Sequence, residues 1–190
     1  RGTPGAERFC TEQLSRLPGC FLCYDPHDEA PHPRPPIDRE SAAITFGSFN
    51  IHDKIGPGVI ELWSRILRNV EGSRILLKSS GLQLPALRER FHAMFLTHGI
   101  DPSRVELSPQ IPNMRDHLRH YHRLDIALDP FPYNGTTTTC DALWMGVPVV
   151  TLAGSWHAAR VGASLLTAVG LPELIASNPD DCIRIAANLA

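Results

Sequence analysis

Leu124-Asp125-Ile126-Ala127-Leu128-Asp129-Pro130-Phe131-Pro132-Tyr133-Asn134-Gly135-Thr136-Thr137-Thr138-Thr139-Cys140-Asp141 reads as three pieces in succession. Leu124 to Leu128 is a short apolar run of the kind a buried strand makes. Prolines and Gly135 then punctuate a loop. The threonines open a helix, Thr137 to Met145, which Gly146 closes. A strand, a Pro/Gly loop and four hydroxyls at a helix start are the makings of an anion site. The first turn of a helix carries unpaired N–H groups and a partial positive charge, and both suit phosphate. Neither the P-loop pattern nor G-x-G-x-x-G occurs in the chain, so any phosphate would be held by a different loop.

The same grammar extends in both directions. Upstream, Ala43 to Phe49, Ile75 to Leu77 and Val105 to Leu107 read as strands. Val59 to Val70, Leu84 to His98 and Met114 to His122 read as helices. Downstream come a strand at Val147 to Leu152, a helix at His157 to Val169 and another from Asp180 onward. Strands alternating with helices at this spacing predict an α/β fold with a parallel, doubly wound sheet. Right-handed crossovers then place every strand's C-terminal end on one edge, where ligands bind in such sheets. The loops assigned to that edge are polar and rich in Gly and Pro: Asn50 to Lys54, Lys78 to Gly81, Ser108 to Asn113, Pro130 to Thr139 and Ala153 to Ser155. Those of the other edge, Glu71-Gly72-Ser73 and Asp101-Pro102-Ser103, are ordinary turns.

Residues 1–40 lack such periodicity. One short helix and a strand at Cys20 to Tyr24 fit within Leu14 to Tyr24, and a proline-rich linker follows from Asp25 to Asp38. These features place a boundary near residue 40, with the main domain at 41–190. The chain begins at Arg1 and ends within an apolar periodic run, which predicts a piece of a longer protein.

Composition bounds the partners. The chain has 190 residues, 43% apolar and 20% charged, with net charge −2, which gives no support for a nucleic-acid partner. No apolar run has the length of a membrane span and no signal peptide is visible, so the expected location is cytoplasmic. Five cysteines, with one C-x-x-C at Cys20 and Cys23, are expected as reduced thiols; a metal or redox role for that pair is the minor reading.

Lysine is scarce: only Lys54 and Lys78 occur, both at or near strand C-terminal ends. Lys54 is read as a phosphate partner, a compact charge on a flexible stem. Asp141 has two readings. With Thr138 it fits a T-x-x-D capping box, and alternatively its carboxylate accepts from a ribose. His117, at a helix start near the binding edge, is placed to meet a base or phosphate, or is a surface histidine. His117, His120 and His122 do not share one helix face, and no zinc motif occurs. No nucleophile with a His/Asp partner and no carboxylate pair stands out.

Ile44 to Asn50 with Lys54, the long run Asp129 to Thr151, and His157 to Ser164 together resemble the nucleocytoplasmic O-linked N-acetylglucosamine transferase family. Its plant branch SPINDLY, a protein O-fucosyltransferase, is also close in the threonine run. The resemblance covers roughly residues 10 to 190. It implies a GT-B protein O-glycosyltransferase with two Rossmann-like lobes, of which this chain is the C-terminal lobe, preceded by the tail of the other. It implies a sugar-nucleotide donor and no cofactor or metal. Acceptor proteins would be recruited by upstream tetratricopeptide repeats, and the acceptor-activating base would lie on the preceding lobe. By position, Lys54 matches the lysine that contacts the donor diphosphate. Thr137 and Thr138 match the threonines that hold that diphosphate, and Gly135 and Thr136 before them are counted with the donor-binding residues. Asp141 matches the ribose acid, His117 the histidine beside the base, and Ile111 the residue whose backbone reads the base. Thr136, Ile51 and Asn113 replace a histidine, a glutamine and a lysine of the animal enzymes. The resemblance therefore carries two donors, UDP-N-acetylglucosamine first and GDP-fucose as the alternative. A non-catalytic scaffold lobe and a sugar-nucleotide epimerase are the readings from other classes.

Overall fold

The computed structural model describes residues 5–15, 19–33 and 43–190. The boundary near residue 40 lies outside the described residues. Six parallel strands form the sheet: β1 Thr45–Ser48, β2 Arg74–Ser79, β3 Val105–Pro109, β4 Ile126–Leu128, β5 Val149–Leu152 and β6 Ile175–Ala176. Their order is β3-β2-β1-β4-β5-β6, that of a doubly wound nucleotide-binding sheet. Helices cover its faces: α1 Pro57–Asn69, α2 Pro85–Thr97, α3 Met114–Arg119, α4 Thr137–Trp144, α5 Val161–Ala168 and α6 Pro179–Leu189. α1 packs beside α2 and α6, and α4 packs against α5.

The strands are buried on both sides, which is why they read as continuous apolar runs rather than alternations. Phe46, Ile75, Leu77, Ile126 and Leu128 are essentially inaccessible. α1 explains its own register. Pro57 occupies the first helical turn, where a missing N–H costs nothing, and Ile60, Trp63, Ile66 and Leu67 form one buried stripe. Gly47 in β1 is there for space: a Cβ would lie 2.3 Å from Leu124 Cδ2 and 2.8 Å from the Leu76 carbonyl oxygen.

Four sequence readings change. Cys20 to Tyr24 forms no strand and bends at Phe21; Cys20, Leu22 and Tyr24 turn inward onto Cys140, Val161 and Leu165. No helix occupies the described part of Leu14 to Tyr24, and residues 16–18 lie outside the described set; the one short helix before β1 among the described residues is a 3-10 turn at Ala6–Phe9. The helix expected from His157 is divided: a 3-10 turn at His157–Ala159 precedes α5. Likewise α3 ends at Arg119 and tightens into a 3-10 turn, His120–Arg123.

Candidate functional site

Strand order reverses between β1 and β4, and the crevice at their C-terminal ends is where such a sheet takes a ligand. The loops after these two strands meet there. The β1 loop ends in a single 3-10 turn, His52–Lys54, anchored by His52 N–H donating to Ser79 Oγ at 2.8 Å. That turn aims Lys54 across the crevice. Its Nζ donates to the Asn134 carbonyl at 2.9 Å and lies 4.1 Å from the Tyr133 ring centroid. Partial burial lowers the Lys54 pKa, and Asp129 opposes that shift.

The β4 loop is held from below by a buried acid. Asp129 Oδ1 accepts from Gly135 N–H at 2.7 Å, and Oδ2 accepts from the Thr151 hydroxyl at 2.7 Å. Burial pushes the Asp129 pKa up to about 7, against these two hydrogen bonds and the charge of Lys54. Asn134 adds two ties, from its side-chain amide to the Pro130 carbonyl (3.0 Å) and from its N–H to the Ala158 carbonyl (2.9 Å). The loop is packed so tightly that side chains are excluded at two points. A Cβ on Gly135 would sit 2.7 Å from Thr139 Oγ1 and 3.0 Å from Asn50 Oδ1. One on Gly162 would sit 2.3 Å from Thr151 Oγ1 and 2.5 Å from Asp129 Oδ2. Gly162→Ala is therefore expected to break the Asp129–Thr151 contact and cost about 1–3 kcal/mol, as overpacking does. Chemical denaturation measures this, and an unchanged midpoint would show that the loop base yields.

α4 begins at this loop. Thr136 is its N-cap, with φ −119° and ψ −85°, and its hydroxyl makes no cap hydrogen bond. Thr137 is exposed and Thr138 half-buried, and their amides fall in the first turn, where a helix offers no intrahelical acceptor. The capping-box reading of Asp141 is corrected. Thr138 lies inside the helix rather than at its cap, and Asp141 is buried with its Oδ1 accepting from the Tyr24 hydroxyl at 2.7 Å. Burial and the Asp141 charge raise the Tyr24 pKa well above its ordinary value. On its other side Asp141 Oδ2 faces His117 Nε2 at 3.6 Å.

His117 sits on α3, whose N-cap is Asn113, its side chain accepting from Asp116 N–H at 3.0 Å. That capping role gives Asn113 a local reason of its own. His117 Nδ1 is hydrogen-bonded to Lys78 Nζ, and the Lys78 side chain passes over Phe49, 4.2 Å from its ring centroid. Lys78 is only 2% exposed, and burial lowers its pKa to about 7, with Asp141 opposing. A cavity of about 170 Å³ opens beside these groups, lined by Phe49, Ile51, Lys78, Ser79, Gln110 and His117. Ile111 is half-buried in the neighbouring loop between β3 and α3. Lys54 thus meets the turn that leads through Gly135 into Thr136, Thr137 and Thr138 by way of the Asn134 carbonyl, while Asp141, one turn further along α4, meets His117. Ile111 is near the latter in sequence, with no hydrogen bond fixing it to either group. Among the described residues, no cluster of His, Cys, Asp or Glu has the grouping of a metal site. His120 is instead pressed against Phe49, ring centroids 5.4 Å apart, with burial holding its pKa near 4. No helix among the described residues is long and apolar enough to cross a membrane.

Tyr24, Lys78 and the anchoring role of Asp129 complete the site beyond the sequence reading. Two of the three carried a usable signal: Asp129 is an acid closing a buried apolar run, which must find donors, and Lys78 is one of only two lysines.

A parallel sheet in this order, with a lysine and a threonine-lined helix start facing across its switch point, defines a Rossmann-like lobe of the GT-B kind. The profile of glycosyl transferase family 41 matches residues 34–190, and the chain belongs to that family. A relative from Arabidopsis thaliana, "Probable UDP-N-acetylglucosamine--peptide N-acetylglucosaminyltransferase SPINDLY", is 46% identical over 187 residues, covering 98% of this chain and 20% of that protein. The Caenorhabditis elegans "UDP-N-acetylglucosamine--peptide N-acetylglucosaminyltransferase" is 36% identical over 148 residues, 77% of this chain and 12% of that one. Among solved structures, a mutant of the Thermobaculum terrenum O-GlcNAc transferase superposes with a TM-score of 0.92 at 38% identity, covering 98% of this chain and 35% of that one. The chain therefore spans about a fifth of the length of the SPINDLY relatives it matches.

Proposed function

We propose that this chain is the donor-binding lobe of a protein O-glycosyltransferase that moves N-acetylglucosamine from UDP-N-acetylglucosamine to Ser or Thr hydroxyls. The observation that carries the reading is the convergence of Lys54 on the Asn134–Thr138 turn, Nζ to the Asn134 carbonyl at 2.9 Å. Family membership and the donor in the relatives' names support it. In the reaction, the acceptor oxygen bonds to the anomeric carbon as that carbon's bond to the β-phosphate oxygen breaks. The diphosphate leaves with increasing negative charge. Lys54 and the first-turn amides of α4 are fixed donors that meet this charge without reorganising. Asp141 receives the ribose hydroxyls, and His117 and the Ile111 backbone flank the base. The acceptor proton passes to a base outside these residues, on the preceding lobe. Upstream repeats that recruit acceptor proteins, and a cytoplasmic location, belong to the same proposal.

Calorimetric titration of the chain with UDP and with GDP tests it. The expected result is saturable binding of UDP in preference to GDP. Preference for GDP would replace the donor by GDP-fucose, and binding of neither would reduce the lobe to a scaffold. A donor screen with a peptide acceptor on the complete protein then separates transfer from epimerisation, which needs no acceptor.

A further inference from the structure

The polar chain Tyr24–Asp141–His117–Lys78 runs through the base of the proposed nucleotide site, and its last member has no assigned role. Lys78 is the second-last residue of β2, a strand flanked by β1 and β3; it aligns with Ser108 of β3, and the pairing with β1 stops one residue before it, at Leu77. A lysine buried to 2% exposure costs free energy unless its head group is held. Nothing about the sheet needs it there; a leucine would fill the same stem volume. Its head group goes to His117 Nδ1, with its stem over Phe49.

That contact decides where the ring proton sits. An ammonium can only donate, so Nδ1 must accept with its lone pair. A neutral amine can also accept from an Nδ1–H, but then the Nε2 lone pair would face the Asp141 carboxylate at 3.6 Å. Both neighbours therefore favour the proton on Nε2. The identity of the atom hydrogen-bonded to one imidazole nitrogen sets the tautomer at the other. We propose that Lys78 is a positioning residue that donates to His117 Nδ1, fixes the imidazole as its Nε2–H tautomer, and so locks His117 and Asp141 into one oriented pair for the nucleoside. The role assigned to that pair rests on the nucleotide-binding reading; the tautomer does not.

Nitrogen-15 spectra of the histidine-labelled chain test the proposal directly. The expected spectrum shows His117 with a pyridine-type Nδ1 and a pyrrole-type Nε2, without any ligand. In Lys78→Met, which keeps the stem and removes the donor, the His117 signals shift toward mixed tautomers. UDP or GDP, whichever the wild type binds, then binds roughly tenfold more weakly, the scale of one aligned hydrogen bond. Lys78→Arg restores a donor and is expected to restore the single tautomer. A pyrrole-type Nδ1 in the wild type, or an unchanged tautomer in Lys78→Met, overturns the proposal. If Lys78→Met fails to fold, the wild-type and Lys78→Arg spectra still decide it. If the wild-type chain binds neither nucleotide, the donor-binding reading falls while the spectra stand as the test of Lys78.

Discussion

Lys54→Ala is expected to lower kcat of the complete transferase by roughly 10²- to 10³-fold, the loss of about 2.7–4 kcal/mol that follows removal of one preorganised donor from an oxyanion site. The structure explains why the loss should fall on the chemical step rather than on the fold. Lys54 is half-buried on a 3-10 turn, and the one hydrogen bond its side chain makes among the described residues is to a loop carbonyl, that of Asn134. Removing it deletes a contact worth about 1 kcal/mol or less from the protein, and none of the core. The charge that Nζ offers matters most when the diphosphate departs, because the ground-state donor already shares its charge with solvent and the α4 amides. Hence UDP affinity should weaken less than kcat. Steady-state kinetics with a peptide acceptor, beside a thermal melt of the same variant, measure both sides. Wild-type turnover in a well-folded variant would falsify the assignment of Lys54 to the leaving group.

How far the sequence carried this picture differs between elements for physical reasons. β1 to β5 were legible because a strand buried on both faces must be an apolar run, and the intervening helices carry their own period. β6 escaped because two residues, Ile175–Ala176, leave no period to read. Cys20 to Tyr24 shows what a period-two signal does and does not report. The alternation is real, with residues 20, 22 and 24 partly buried and 21 and 23 exposed. It reports a segment with one side covered, and the cover here is the pair α4 and α5 rather than a neighbouring strand. Sequence alone cannot tell the two kinds of cover apart.

The site divides in the same way. Lys54 and the threonine turn lie on loops, where a polar residue stands out against its surroundings. The scarcity of lysine marked Lys78 too, but its burial and its His117 partner, 39 residues away, come only from packing β2 against α3. Asp141 was ambiguous because T-x-x-D is equally a cap and a coincidence. The helix begins two residues earlier than the box requires, and Tyr24, 117 residues distant, takes the carboxylate.

Asp129 is where fold and site depend on one group, and truncating it should be the most destabilising change at the crevice. Asp129→Ala leaves Gly135 N–H and the Thr151 hydroxyl buried without their acceptor, at a cost on the order of 3 kcal/mol. The same change releases the turn that presents Thr136 and Thr137, so nucleotide binding should fall with stability. Asp129→Asn behaves differently. Its carbonyl oxygen can accept from Gly135 N–H while its amide donates to Thr151 Oγ, so the anchor survives without a buried charge. The pH dependence then separates charge from shape. Burial raises the folded pKa to about 7, from 3.8 in the unfolded chain. The favourable contribution of the protonated acid is complete below the unfolded value and is lost as pH rises through the folded one. Between pH 4 and 7 the wild type should therefore lose stability that Asp129→Asn does not, a divergence on the order of a few kcal/mol at about 1.4 kcal/mol per pKa unit. Melting both proteins at pH 5 and pH 8 reads it: the asparagine variant gains on the wild type at the higher pH. A constant difference across that range would mean that Asp129 is ionised throughout, held so by Lys54 and its two donors.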